Sequence, residues 1–183
     1  MSKFSLIQKL RNKIRIKGNL DLNISKSAKI VNCNIYNKGD NNSLTIEDNS
    51  ILRNINIEII GNNCKIFIGK NCMLGDNCDL TVKESTKLII KDNCGLSRNI
   101  KILTSDGHPI YQNDKRINNA KDIIINENVW IADNVTILKG ANIGSGSVVG
   151  INSTLTKSID SNVVAVGNPA EVIKTNISWK DKF

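Results

Sequence analysis

From Ile125 onward the chain reads INENVW, IADNVT, ILKGAN, IGSGSV, VGINST, LTKSID, so that Ile125, Ile131, Ile137, Ile143, Val149 and Leu155 recur every six residues without a slip. The fifth place of these hexads holds small or modest side chains: Val129, Val135, Ala141, Ser147 and Ser153. Upstream the same rule returns with interruptions in IIGNNC, IGKNCM, LGDNCD, IKDNCG and LSRNIK. A six-residue step of strand and turn cannot bury its apolar side alone. Stacked coils of three such steps close a triangular prism around a continuous core. The aliphatic residue points inward, and the small residue four places on also points inward, near a corner with little room. Asn and Asp precede that small residue in GNNC, GKNC, GDNC, KDNC, NENV and ADNV. Corners that visit the left-handed backbone region favour these residues. At about 18 residues per turn, the chain holds roughly seven coils.

Composition agrees with strands. The 183 residues suit one domain, 40% of them are hydrophobic, and aromatics make up only 4%. The core must therefore be built from aliphatics, many of them β-branched, which favour extended structure. Cys64, Cys72, Cys78 and Cys94 fall on the small inward corner position, where a free thiol acts as a compact hydrophobe, and Cys33 is read the same way in a less regular coil. A zinc site would need CxxC pairs or interleaved histidines, and neither occurs, so no metal is expected. No run of about 18 apolar residues and no apolar leader segment is present, and five cysteines suit a reducing compartment, so a cytoplasmic protein without stable membrane insertion is expected.

The formal net charge of +8 favours anionic partners, or reflects a bias toward Lys. The lysines are scattered and not interleaved with aromatics, so no nucleic-acid partner is expected. Phe4, Leu6, Ile7, Leu10 and Ile14 mark one helical face among Lys9, Arg11, Lys13 and Arg15. This pattern predicts a capping helix over residues 1–17, ahead of a β-helical domain at 18–170 and a tail at 171–183.

One stretch breaks the hexad clock. In CGLSRNIKILTSDGHPI, residues 94–110, two hexads run into a loop, and regular repeats resume near Ile123. An excursion over residues 104–121 inside a strictly periodic body marks a functional segment. It carries His108, the single histidine of the chain. Histidine is suited to proton transfer near neutral pH. Asp106 either orients the imidazole or shapes a turn before Gly107. Trp130 precedes the inward Ile131 and therefore faces outward on a body that has few aromatics.

These residues resemble the hexapeptide-repeat acyltransferases, whose fold is a left-handed parallel β-helix. The most specific part is NVWIADNVTILKGANIGSGSVVGINSTLTKSIDSNVVAVGNPAEVIK, residues 128–174. The resemblance is closest to acetyl-CoA-dependent O-acetyltransferases acting on sugars. SDGHPIY and VIKTNISW point to the capsule or lipopolysaccharide branch. It implies a homotrimer, acetyl-CoA as acetyl donor and a glycan acceptor. His108 would be the general base, with backbone N–H groups stabilising the oxyanion. Trp130 would line the cleft near the pantetheine arm and the acceptor, the other reading being a place in a trimer interface, and Tyr111 would contact the acceptor. The donor would follow Ala132, Asp133, Gly150, Ile151, Thr156 and Lys157, with Lys174 toward its phosphates. Two positions depart from the family pattern: Ile151-Asn152 replaces a small Ala-Gly pair, and Glu171 stands where Lys or Arg is usual. N-acetylation of an amino sugar nucleotide and a non-catalytic assembly role are the alternative readings. A γ-class carbonic anhydrase would need three histidines on one zinc.

Overall fold

In the computed structural model, which describes residues 10–180, the chain winds as a parallel β-solenoid with three faces. The first face stacks Lys13–Lys17, Asn34–Lys38, Asn56–Ile60, Asp79–Lys83, Lys101–Leu103, Thr136–Leu138 and Thr154–Leu155. The second stacks Leu20–Ile24, Asn42–Ile46, Lys65–Ile68, Lys87–Ile90, Ile123–Ile125 and Asn142–Ile143. The third stacks Lys29–Val31, Ile51–Arg53, Met73–Leu74, Gly95–Leu96, Trp130–Ile131, Val148–Val149 and Val164–Gly167, closed by Ala170–Lys174. Six turns are complete; the seventh touches the second face only through the bridge between Ile143 and Ile159. The architecture is the left-handed parallel β-helix expected from the hexads.

Register explains the core. On the first face Ile35, Ile57, Leu80, Ile102, Ile137 and Leu155 stand directly over one another and are fully buried. On the third face Leu52, Leu74, Leu96, Ile131 and Val149 do the same. Each such side chain contributes about 1.5–3 kcal/mol by leaving water. The small corner residues Val129, Val135, Ala141, Ser147 and Ser153 are buried as expected, and all five cysteines are buried and free. The corner asparagines hold the left-handed backbone: φ is +61° at Asn49, +56° at Asn71, +60° at Asn93 and +55° at Asn128.

Three expectations are corrected. The turn length of about 18 residues holds only after the loop, where Asn134 and Asn152 stand 18 apart; before it, equivalent corners such as Asn49 and Asn71 lie 22 apart. On the first and second faces the early coils carry strands of four or five residues where the late ones use two or three, which is why the upstream hexads look interrupted. Next, the helix expected over residues 1–17 lies partly outside the described residues, and Lys13–Lys17 is a strand. Ile14 and Ile16 alternate with Lys13, Arg15 and Lys17, a period of two that pairs with Asn34–Lys38. Finally, Ala170–Lys174, mostly assigned to the tail, folds back antiparallel on Val164–Gly167 and covers the open edge of the last coil.

Candidate functional site

The loop leaves and rejoins the body at one point, where Lys121 N–H donates to the Thr104 carbonyl at 3.0 Å. This is the corner between the first and second faces, and the excursion occupies the stretch expected from the sequence. Beyond it, Tyr111–Gln112 pairs antiparallel with Lys115–Arg116 across Asn113 and Asp114, both at positive φ. Two residues with left-handed backbone are what a tight hairpin turn requires.

Polar side chains of the body fix the loop at two points. Glu84 accepts from the Ser105 hydroxyl at 2.6 Å and pairs with Arg116 at 2.7 Å. The Ser105 hydrogen bond, reinforced by Arg116, holds the Glu84 carboxyl below its usual range. Lys139 pairs with Asp106 at 2.5 Å and donates to the Asn118 carbonyl at 2.9 Å. Chiefly through Lys139, the Asp106 carboxyl is also held low. Asp106 thus spends its acceptor Oδ2 on Lys139 and Asn118, and among the described residues the His108 imidazole takes part in no hydrogen bond or ion pair. Tyr111 sits on the hairpin, 62% exposed.

A groove of about 1180 Å³ runs along the third face. Its floor is the outward register row Ile51, Met73, Gly95, Trp130 and Val148. Trp130 is 41% exposed and donates from Nε1 to the Ser97 hydroxyl at 3.2 Å. Trp179, from the C-terminal segment, leans on it with ring centroids 6.0 Å apart. Gly95 lies beneath both indoles, and a Cβ there would stand 3.9 Å from each ring, at ordinary contact distance. Arg53 and Arg98 also line the groove, the latter paired with Asp133 at 2.6 Å.

Of the residues singled out in the sequence, the groove gathers Trp130, Ala132, Asp133, Gly150 and Ile151. Thr156, Lys157 and Lys174 stand outside its lining. Lys157 instead grips both carboxylate oxygens of Glu171 at 2.9 Å, so the departure at 171 engages a side chain expected along the donor. His108, Asp106 and Tyr111 lie on the corner opposite the third face; a single chain does not bring them to the groove. The sequence reading did not single out Trp179, Asn118, Lys139, Glu84 and Arg116. Only Trp179 carried a signal, as the second of two tryptophans and the last residue of VIKTNISW.

No protein-family model matches the chain. Its strand architecture superposes on the crystal structure of the polysialic acid-specific acetyltransferase NeuO with a TM-score of 0.90 and 37% identity, covering 93% of this chain and 73% of that one. The polysialic acid O-acetyltransferase of Escherichia coli O1:K1 / APEC is 44% identical over 85 residues, 45% of this chain and 28% of that protein. A galactoside acetyltransferase in complex with coenzyme A is 32% identical with a TM-score of 0.52, over 62% of this chain and 55% of that one. The matched stretches span less than half the length of the curated relatives. The chain belongs to the hexapeptide-repeat acetyltransferases.

Proposed function

We propose that the protein transfers an acetyl group from acetyl-CoA to a hydroxyl of a sugar, in a capsular or lipopolysaccharide glycan, with His108 as general base. The observation that carries this reading is the pairing of two features. One is an exposed loop holding a single histidine whose imidazole has no hydrogen-bond or ion-pair partner among the described residues; the other is a long groove floored by Trp130. The likeness to a polysialic acid acetyltransferase and to a galactoside acetyltransferase holding coenzyme A supports the donor and the acceptor class.

An alcohol is a weak nucleophile at neutral pH. His108 would take the hydroxyl proton as the oxygen attacks the thioester carbonyl. The tetrahedral intermediate would then collapse with cleavage of the C–S bond, and the imidazolium would return its proton to the departing thiolate. The products are the acetylated sugar and free CoA thiol. The apolar row Ile51, Met73 and Val148 suits a pantetheine chain, and Arg53 offers a cation for its phosphates.

Loop and groove lie on opposite sides of one protomer, so this reading also requires a second copy. In a homotrimer the loop of one protomer would overhang the third face of the next. Incubation with acetyl-CoA and a panel of glycans, with release of free thiol followed, tests the activity. Acceptor-dependent release is expected, falling by about 10²–10⁴-fold in His108→Ala. Release from His108→Ala at the wild-type rate would remove the base role.

A further inference from the structure

We infer that Asn118 is the residue that positions His108, gripping the loop on both sides of the histidine. Its side-chain amide donates one N–H to Asp106 Oδ2 at 2.8 Å and the other to the carbonyl of His108 itself at 2.8 Å. Its Oδ1 accepts the Ile110 N–H at 2.6 Å. One side chain therefore ties residues 106, 108 and 110, using both donors and one acceptor site of the amide. Asn118 is 8% exposed, so these bonds replace water rather than compete with it. The Asn118 carbonyl accepts from Lys139 at 2.9 Å, and the same ammonium pairs with Asp106. Lys139 follows directly on the strand Thr136–Leu138, so the grip is anchored in the rigid body.

This assigns Asp106 a different role from the one its place in the sequence suggests. Its carboxylate is a hinge point between Asn118 and Lys139, and acts on the imidazole only through the backbone that Asn118 holds. The geometry also explains why a 16-residue excursion from 105 to 120 can present a side chain precisely enough for proton transfer: a misplacement of about 1 Å costs roughly 10²-fold in rate.

The inference rests on His108 as general base, and its test separates the two. The chain has a single histidine, so untagged protein gives one set of imidazole Cε1–Hε1 signals by NMR. Asn118→Ala is expected to move that signal toward the position of free histidine and to lower kcat by about 10²-fold, leaving the KM for acetyl-CoA and the thermal midpoint unchanged. Asp106→Asn, which keeps one acceptor oxygen but loses the charge facing Lys139, is expected to lower kcat only severalfold. A carboxylate that oriented the imidazole directly would show a loss of about 10⁴-fold on the same change. An Asn118→Ala protein with wild-type signals and kcat within twofold of wild type would overturn the inference, as would a loss of the larger size in Asp106→Asn. If Asn118→Ala moves the signal while His108→Ala keeps full activity, the grip stands and the base reading falls.

Discussion

Trp179 lies over the outward face of Trp130 at a tilt of 43°, and its indole N–H donates to the Asn128 carbonyl at 2.8 Å. The C-terminal segment thereby becomes a wall of the groove, pinned two residues before the tryptophan it covers. Ile177 N–H donates to the Asn162 carbonyl at 3.0 Å, so the same segment is also held two coils further along.

Trp179→Ala should expose Trp130 without touching the core. With two tryptophans in the chain, the variant has a single emitter. Acrylamide quenching of that emitter should rise relative to Trp179→Phe, which keeps a ring over the same single emitter, and the KM for acetyl-CoA or for the glycan should increase several-fold. A wild-type KM for both substrates would show that the wall plays no part in binding. Gly95→Ala should be tolerated, because its Cβ meets the rings at ordinary contact distance, whereas Gly95→Phe should displace Trp179 and reproduce the loss.

If the site combines the loop of one protomer with the groove of the next, two defective chains can repair each other. His108→Ala supplies an intact Trp130, and Trp130→Ala supplies an intact His108. Refolding the two together in equal amounts should restore activity to about a quarter of wild type, the fraction of interfaces that join two intact halves in a closed ring. Each variant alone should remain near background. Mixtures no more active than the separate variants would place both residues in the same protomer's site.

The repeat was legible because every coil obeys one rule: Ile131, Ile137 and Ile143 face inward at a fixed spacing, and the corner positions Val129, Val135 and Ala141 stay small. The loop was legible as the place where that rule stops. The helix expected over Lys13–Lys17 came from Ile14, which continues the three- and four-residue spacing of Ile7 and Leu10; the alternation of Ile14 and Ile16 with Lys13, Arg15 and Lys17 is the strand signal, and pairing with Asn34–Lys38 realises it. Trp179 and Asn118 were hidden for a different reason. Trp179 meets Asn128 across 51 residues, and Asn118 is one of many asparagines whose special role depends on what the folded loop brings to it.

The corner asparagines make a conformational prediction. Asn71 sits at φ +56°, accepts from Asn49 at 3.3 Å and donates to Asn93 at 3.1 Å. Asn71→Gly loses these exposed side-chain bonds but keeps the backbone conformation. Asn71→Ala loses both, and the left-handed conformation costs an L-residue about 1–2 kcal/mol. Urea unfolding should therefore rank Asn71→Ala below Asn71→Gly by about 1 kcal/mol at an unchanged m-value. Equal stability of the two would mean that the side-chain ladder, rather than the backbone, explains asparagine at these corners.

The thiols should be silent in the folded protein. Cys33, Cys64, Cys72, Cys78 and Cys94 are all buried. Burial pushes the Cys78 thiol up to about 11, and a hydrogen bond with Cys72 together with burial pushes Cys94 up as well; the same hydrogen bond holds Cys72 low, but that thiol is closed off from reagent at 1% exposure. The thiolate is the reactive form, so a thiol reagent at pH 8 should label none of the five until denaturant is added. Rapid labelling of even one in native buffer would show that a coil opens locally.

Acid should release the loop before it unfolds the body. The Asp106 and Glu84 carboxyls are both held below their ordinary values, by Lys139 in one case and by Ser105 with Arg116 in the other. A depressed carboxylate stabilises the folded loop at every pH above its ordinary value near 4, and that contribution disappears as pH falls through the lowered folded value. The grip on residues 105–118 should therefore be intact from neutral pH down to about 4 and weaken below it. The core consists of aliphatics and buried thiols that stay neutral in acid, with no carboxylate among them, and should not follow. Pepsin, which works in acid, reports on this directly: cleavage near Ile110 and Tyr111 should appear as the pH drops below about 4 while the circular dichroism of the β-helix is unchanged. Replacing Lys139 by Met removes the ammonium that holds Asp106 down, so cleavage in that variant should begin at a higher pH. A loop equally resistant at every pH, or one cut at neutral pH in the wild type, would contradict the ion-pair account of how it is held.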